Sequence, residues 1–189
     1  IDLDDDNWED ILIGTDFGIS PLFKNSGNGS FTMYTDEANL AIPGTAMGLD
    51  AADVDGDGDL DICQSNYGPN YLYKQTSRMS FTESSVTSGL NRGVSSKSVN
   101  WDCNFVDIDL DGDLDLWFGS GSISAYTTFS YNSIYLNNGE GFFTEVVFSS
   151  EMLHPIAKTM GSAWADFDLD GDLDLIISES NLSLIYILR

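Results

Sequence analysis

Asp166-Phe167-Asp168-Leu169-Asp170-Gly171-Asp172-Leu173-Asp174-Leu175-Ile176-Ile177 decides how this chain reads, because its pattern occurs four times. The second copy holds Asp53, Asp55, Asp57, Gly58 and Asp61, and the third Asp107, Asp109, Asp111, Gly112 and Asp115. The first reads Asp2, Asp4, Asp6, Asn7 and Asp10. With the first Asp as position 1, carboxylates fall at positions 1, 3, 5 and 9, Gly or Asn at 6, and an aliphatic residue at 10. Carboxylates at 1, 3 and 5 can turn inward on a tight loop, and position 9 closes the cage. Calcium takes six to eight hard oxygen ligands, which four carboxylates, the carbonyl of position 7 and water supply; magnesium, with stricter octahedral demands, fits less well. Position 6 needs a sharp bend with positive φ, which Gly and Asn tolerate. A solvated acidic turn is the alternative, but like charges two residues apart repel unless a cation neutralises them.

The flanks separate this loop from an EF-hand, which needs a bidentate Glu at position 12 and helices on either side. Position 12 here is Ile13, Gln64, Phe118 or Ile177. The apolar runs Ile11-Leu12-Ile13, Leu116-Trp117-Phe118 and Leu175-Ile176-Ile177 read as strands buried on both faces.

The 189 residues are 42% hydrophobic and 12% aromatic, which excludes disorder. Of 31 acidic residues 21 lie in the four loops, and the net charge is -24. Four Ca2+ would still leave about -16, which argues against nucleic acid or an anionic membrane as partners. Cys63 and Cys103, the only cysteines, allow one disulfide or two small buried hydrophobes. Asn28-Gly29-Ser30 and Asn181-Leu182-Ser183 are glycosylation acceptors by pattern. There is no signal peptide or membrane span, and that absence is uninformative in a chain opening inside a metal loop.

The loops begin 51, 54 and 59 residues apart, a period that points to propeller blades or a similar array. Each period repeats one order. A strand precedes the loop (Met47 to Ala52, Trp101 to Val106, Met160 to Ala165), and the apolar strand follows it. A third strand (Leu22 to Asn25, Tyr71 to Lys74, Ile134 to Asn137) leads to a hairpin, cued by Gly27-Asn28-Gly29 and Asn138-Gly139 and less clearly by Thr76-Ser77-Arg78. A fourth carries Phe31-Thr32, Phe81-Thr82 or Phe143-Thr144, and polar connectors such as 36–43 and 84–98 lead onward.

The Asp-x-Asp-x-Asp-Gly-x-x-Asp-Leu loop followed by an Asn-x-Gly-x-Gly-x-Phe hairpin resembles the FG-GAP/VCBS repeat, the unit of integrin-α-like β-propellers. The resemblance covers essentially the whole chain. It implies an all-β fold, a partial β-propeller of four-stranded antiparallel blades with about three and a half repeats, drawn from a seven-bladed parent. The repeats are expected at about 1–46, 47–98, 99–158 and 159–189, with apolar surface exposed over Ile1 to Ile13 and Leu182 to Leu188. It also implies calcium ligands at positions 1, 3, 5, 7 and 9, with Trp8, Asp59, Asp113 and Asp172 giving carbonyls. Phe81-Thr82-Glu83 followed by Ser88-Gly89-Leu90 is similar to secreted proteins that pair these repeats with an ASPIC/UnbV domain, which is not in this chain. Two departures stand out: Asp5 at position 4, and the longest connection of its kind, Gly119 to Ser133. Tyr126, Phe129 and Tyr131 in that connection are candidate contacts for a partner.

An enzymatic reading finds little support. There is no nucleophile elbow, zinc-protease helix or phosphate-cradling loop, and the one histidine, His154, precedes Pro155 in a connector. Calcium would hold the carboxylates ionised, unlike a general acid. The expected function is an extracellular interaction module, secreted or at the cell surface, with structural Ca2+ in up to four loops and a protein or carbohydrate ligand. The alternative is the non-catalytic propeller of a secreted enzyme, such as a polysaccharide lyase or phospholipase.

Overall fold

The computed structural model describes residues 1–90, 99–121, 131–146, 159–179 and 185–188. Among the described residues every regular element is a strand, so the fold is all-β. The first unit holds β1 (Ile11–Leu12), β2 (Gly18–Ile19), β3 (Leu22–Asn25), β4 (Phe31–Met33) and β5 (Pro43–Gly44). The second holds β6 (Ala46–Ala52), β7 (Asp61–Asn66), β8 (Tyr71–Ser77) and β9 (Ser80–Glu83). The third holds β10 (Asn100–Val106), β11 (Asp115–Ser120), β12 (Ser133–Asn137) and β13 (Phe143–Val146), and the fourth β14 (Thr159–Ala165), β15 (Asp174–Glu179) and β16 (Ile185–Leu188).

The second and third units are four-stranded antiparallel meanders, β6-β7-β8-β9 and β10-β11-β12-β13. The first and fourth form three-stranded sheets, β1-β3-β4 and β14-β15-β16. A ribbon that the sequence pattern does not announce, β2 with β5, pairs Gly18 with Gly44 and Ile19 with Pro43. Register is the same around each acidic loop: the residue before position 1 pairs with position 9, as Ala52↔Asp61, Val106↔Asp115 and Ala165↔Asp174. An irregularity recurs near the start of each first strand, between Ala46 and Gly48, Asn100 and Asp102, and Thr159 and Gly161.

Side chains alternate across a strand, so each middle strand feeds two cores. Ile62 packs with Leu3, Leu22, Tyr73 and Phe81 between the first and second sheets. Its neighbour Cys63 packs with Leu72, Cys103, Leu116 and Phe118 between the second and third. Trp117 turns the other way, onto Ile134, Leu175 and Ile177. This explains why β7 and β11 are buried at every residue. The connectors are not merely polar: Leu40 and Leu90 close turns that bury them in these cores.

The expectation of strands buried on both faces fails for the first unit. β1 is two residues long, and Ile11 and Ile13 are 42% and 45% exposed. It pairs with β3 on one edge, and among the described residues no strand pairs with its other edge. Ile1, also exposed, belongs to the same surface. The side chains of 182–188 lie outside the described residues, as do Tyr126, Phe129, His154 and the second glycosylation pattern. Cys63 and Cys103 are free thiols buried in one core cluster, and burial, then the neighbouring Cys103 thiol, pushes the Cys63 thiol well up.

Candidate metal centres

All four acidic loops fold by one hydrogen-bond scheme. The position-1 carboxylate accepts from backbone N–H groups on the far side of its own turn. Asp2 takes Asp6 and Asn7, Asp53 takes Gly56 and Gly58, Asp107 takes Asp111 and Gly112, and Asp166 takes Asp170 and Gly171, all at 2.8 to 3.2 Å. The position-5 carboxylate accepts from the N–H of position 7: Asp6 from Trp8, Asp57 from Asp59, Asp111 from Asp113 and Asp170 from Asp172. Short side chains that bond the backbone two residues on stabilise such turns.

Position 6 has positive φ throughout, at Asn7, Gly58, Gly112 and Gly171. Position 4 does too, which the sequence reasoning missed: Asp5 at 55°, Gly56 at 71°, Leu110 at 60° and Leu169 at 62°. Leucine in that region is sterically unfavourable, so two loops carry local strain.

Position 9 does more than close a cage. Asp61 accepts from Val54 N and Gln75 N, Asp10 from Leu3 N and Asn25 N, and Asp115 from Ile108 N and Asn137 N. Asp174 accepts from Phe167 N in the same way. These buried carboxylates clip the start of each loop, and in the first three units also to the third strand. Burial pushes the Asp61 carboxyl up to about 7, against the opposing pull of its two N–H donors, and raises Asp115 for the same reason.

The third strand supplies a second clip. Asn25, Gln75 and Asn137 each donate a side-chain amide to the carbonyl of position 8 (Glu9, Leu60, Leu114). Each also accepts from the hairpin backbone, at Gly27, Met79 or Gly141. In the second unit, where hairpin glycines are absent, Met79 takes the positive φ and Gln75 the longer reach. The hairpin glycine is needed where it touches position 7. A Cβ on Gly27 would fall 2.6 Å from the Trp8 indole nitrogen, and one on Gly139 2.6 Å from Asp113 Oδ2.

Carboxylate oxygens converge to within 4.8 Å of one another in every loop: Asp2, Asp4 and Asp6; Asp53, Asp55 and Asp57; Asp107, Asp109 and Asp115; Asp166, Asp168 and Asp174. All donors are hard oxygens, the set that suits calcium or magnesium rather than a soft-ligand metal. Asp4 Oδ1 and Asp55 Oδ1 are buried without a hydrogen-bond partner, as an oxygen meant for a cation would be. In the first loop Lys24 pairs with Asp4 and lies 3.4 Å from Asp6, and Arg78 lies 3.7 Å from Asp4. In the second, Lys74 lies 3.0 Å from Asp55. The clusters could therefore hold a metal, with basic side chains reaching two of them.

The FG-GAP-like repeat pattern matches residues 2–63 and 122–177, more than half of the chain and including three of the loops. The chain belongs to the FG-GAP-like repeat family. Two relatives are cartilage acidic protein 1 of Mus musculus, 30% identical over 178 residues, and cartilage acidic protein 1 of Homo sapiens, 29% identical over 180. Each alignment covers 89% of this chain and 26% of the relative, so the chain spans about a quarter of their length. Among solved structures, the V. cholerae biofilm matrix protein Bap1 matches with a TM-score of 0.51 at 21% identity, over 93% of this chain and 33% of that one. That likeness is one of fold, and it extends over the FG-GAP-like units described above.

Proposed function

We propose that this chain is a calcium-binding stretch of an extracellular β-propeller, in which Ca2+ is a structural ion and the blades present a surface to a protein or carbohydrate ligand. The observation that carries the reading is the fourfold loop geometry: in each loop three carboxylates converge to within 4.8 Å, two of them held in place by backbone N–H groups. Such a cluster is repulsive by itself and favourable around a divalent cation. The ion would be held by Asp2, Asp4, Asp6 and Asp10; by Asp53, Asp55, Asp57 and Asp61; by Asp107, Asp109, Asp111 and Asp115; and by Asp166, Asp168, Asp170 and Asp174. Carbonyls of Trp8, Asp59, Asp113 and Asp172 would complete the sets. When bound, calcium would offset part of the loop's negative charge and lock the two strands it joins.

The successive sheets correspond in this reading to about three and a half blades of a seven-bladed propeller, with further blades completing it. Their role is non-catalytic. Extracellular calcium modules work with dissociation constants around 10⁻⁴ to 10⁻³ M, which suits secretion or the cell surface, and the relatives are named for acidity and for cartilage. Tyr131, about half exposed at the end of the long third-unit connection, is a contact to test against glycan and protein arrays. The deciding experiment is calorimetric titration of calcium into chelator-stripped protein and into Asp170→Ala. The variant should lose one site and keep the rest; equal stoichiometry in both would remove Asp170 from the ligand set.

A further inference from the structure

We propose that the acidic loops fall into two classes, because the first two carry a cation of their own from the third strand and the third does not. The inference rests on the calcium reading above and adds how the sites differ. Lys24 and Lys74 occupy one structural place. Each follows the residue that pairs with position 10: Phe23 opposite Ile11, and Tyr73 opposite Ile62. In the third unit Tyr135 pairs with Leu116, so the same place falls to Leu136, which has no charge. Among the described residues no basic side chain forms an ion pair with the third loop.

The contacts go to the converging carboxylates themselves. Lys24 pairs with Asp4 and reaches Asp6, and Lys74 pairs with Asp55 while donating to the Glu140 carbonyl at 3.2 Å. Both lysine side chains are substantially covered, with exposures of 31% and 18%, so bulk water screens these pairs only in part. Yet each leaves the second oxygen of its Asp buried and unpaired. A lysine brings one charge and at most three donors, whereas calcium brings two charges and takes six to eight oxygens.

An ammonium therefore half-satisfies these loops. It relieves repulsion without an ion, and calcium must displace it or bind beside it. Occupancy of the first two loops is then set by competition with lysine, and the third loop depends on calcium alone. In consequence the third loop fills first, and the first two fill at higher calcium as reserve sites.

The test is calcium calorimetry on the stripped chain and on Lys74→Met, Lys74→Gln and Lys24→Met, each checked for native circular dichroism. The Gln variant keeps a donor for Glu140 and separates charge from packing. Wild type should show two affinity classes, and both Lys74 variants should tighten one weak site about three- to tenfold. Lys24→Met should tighten less, because Arg78 remains. Unchanged or weaker binding in the Lys74 variants overturns the inference while leaving calcium binding intact, whereas no calcium uptake by any chain removes both. On unaltered protein, the ammonium 15N resonances of Lys24 and Lys74 should move in the second phase of the titration. Movement in the first phase, with the tight sites, would overturn the competition.

Discussion

Asn137 Nδ2 donates a 2.7 Å hydrogen bond to the carbonyl of Val54, 83 residues away in the acidic loop of the preceding unit. The same amide bonds Leu114 O in its own unit at 2.9 Å, and its Oδ1 takes Gly141 N at 3.1 Å. One buried side chain thus ties two acidic loops and a hairpin. Asn137→Ala leaves those groups unpaired and should destabilise the fold by about 2 to 4 kcal/mol. It should also weaken calcium at both the second and third loops, measured by denaturant midpoint and calorimetry. An effect confined to the third loop would show that the link to Val54 carries no coupling.

Leu169 sits at φ 62° with 87% of its surface exposed, so it contributes strain and almost no packing. Leu169→Gly removes the Cβ clash, worth about 1 to 2 kcal/mol, against about 0.5 to 1 kcal/mol of added chain entropy. The variant should melt at the same temperature or slightly higher and keep its calcium. A marked loss of stability would mean that the side chain has a packing role.

Burial raises the carboxyls of Asp61, to about 7, and of Asp102 and Asp115. An acid raised above its unfolded value, about 3.9, keeps in the folded chain a proton that the unfolded chain has released. Stability of the metal-free protein should therefore fall as pH rises from about 4 to 7. Calcium requires ionised carboxylates, so saturating calcium should reverse the slope. Asp102 lies outside the loops and accepts from Ser162, so Asp102→Asn should flatten part of the metal-free slope and leave calcium affinity unchanged. Chemical-denaturation series across this range, with and without chelator, check all three statements.

Cys63 and Cys103 are fully buried thiols, and a buried neutral thiol is unreactive. Alkylating reagents should leave both unmodified in the native protein and label both after unfolding. Rapid native labelling would contradict the packing of the second and third sheets.

The four acidic loops, the order of strands around them and most strand cores were legible because each depends on local spacing. The continuous apolar run Leu116 to Phe118 and the Asn138-Gly139 hairpin mark β11 to β13 without tertiary information, and β7 to β9 follow from their place in the same period. What escaped depends on partners that folding brings together. Lys24 stands 18 residues from Asp6 and Lys74 19 from Asp55, and only the register of the second and third strands puts them at the loop. Asn137 read as a hairpin residue, since its bond to Val54 crosses between units. Positive φ at Leu110 and Leu169 carries no composition cue, because leucine is a poor residue for that conformation. The β2–β5 ribbon is two residues per strand, too short to leave a pattern.

The most direct test of the account is a calcium titration of the stripped chain read together with its thermal unfolding. Three to four ions per chain are expected. Each site at 100 times its dissociation constant adds about 2.7 kcal/mol, which raises the melting temperature by about 5 to 10 °C per site. A folded, stripped chain that takes up no calcium and melts at one temperature with or without it would contradict the assignment of these loops as structural calcium sites.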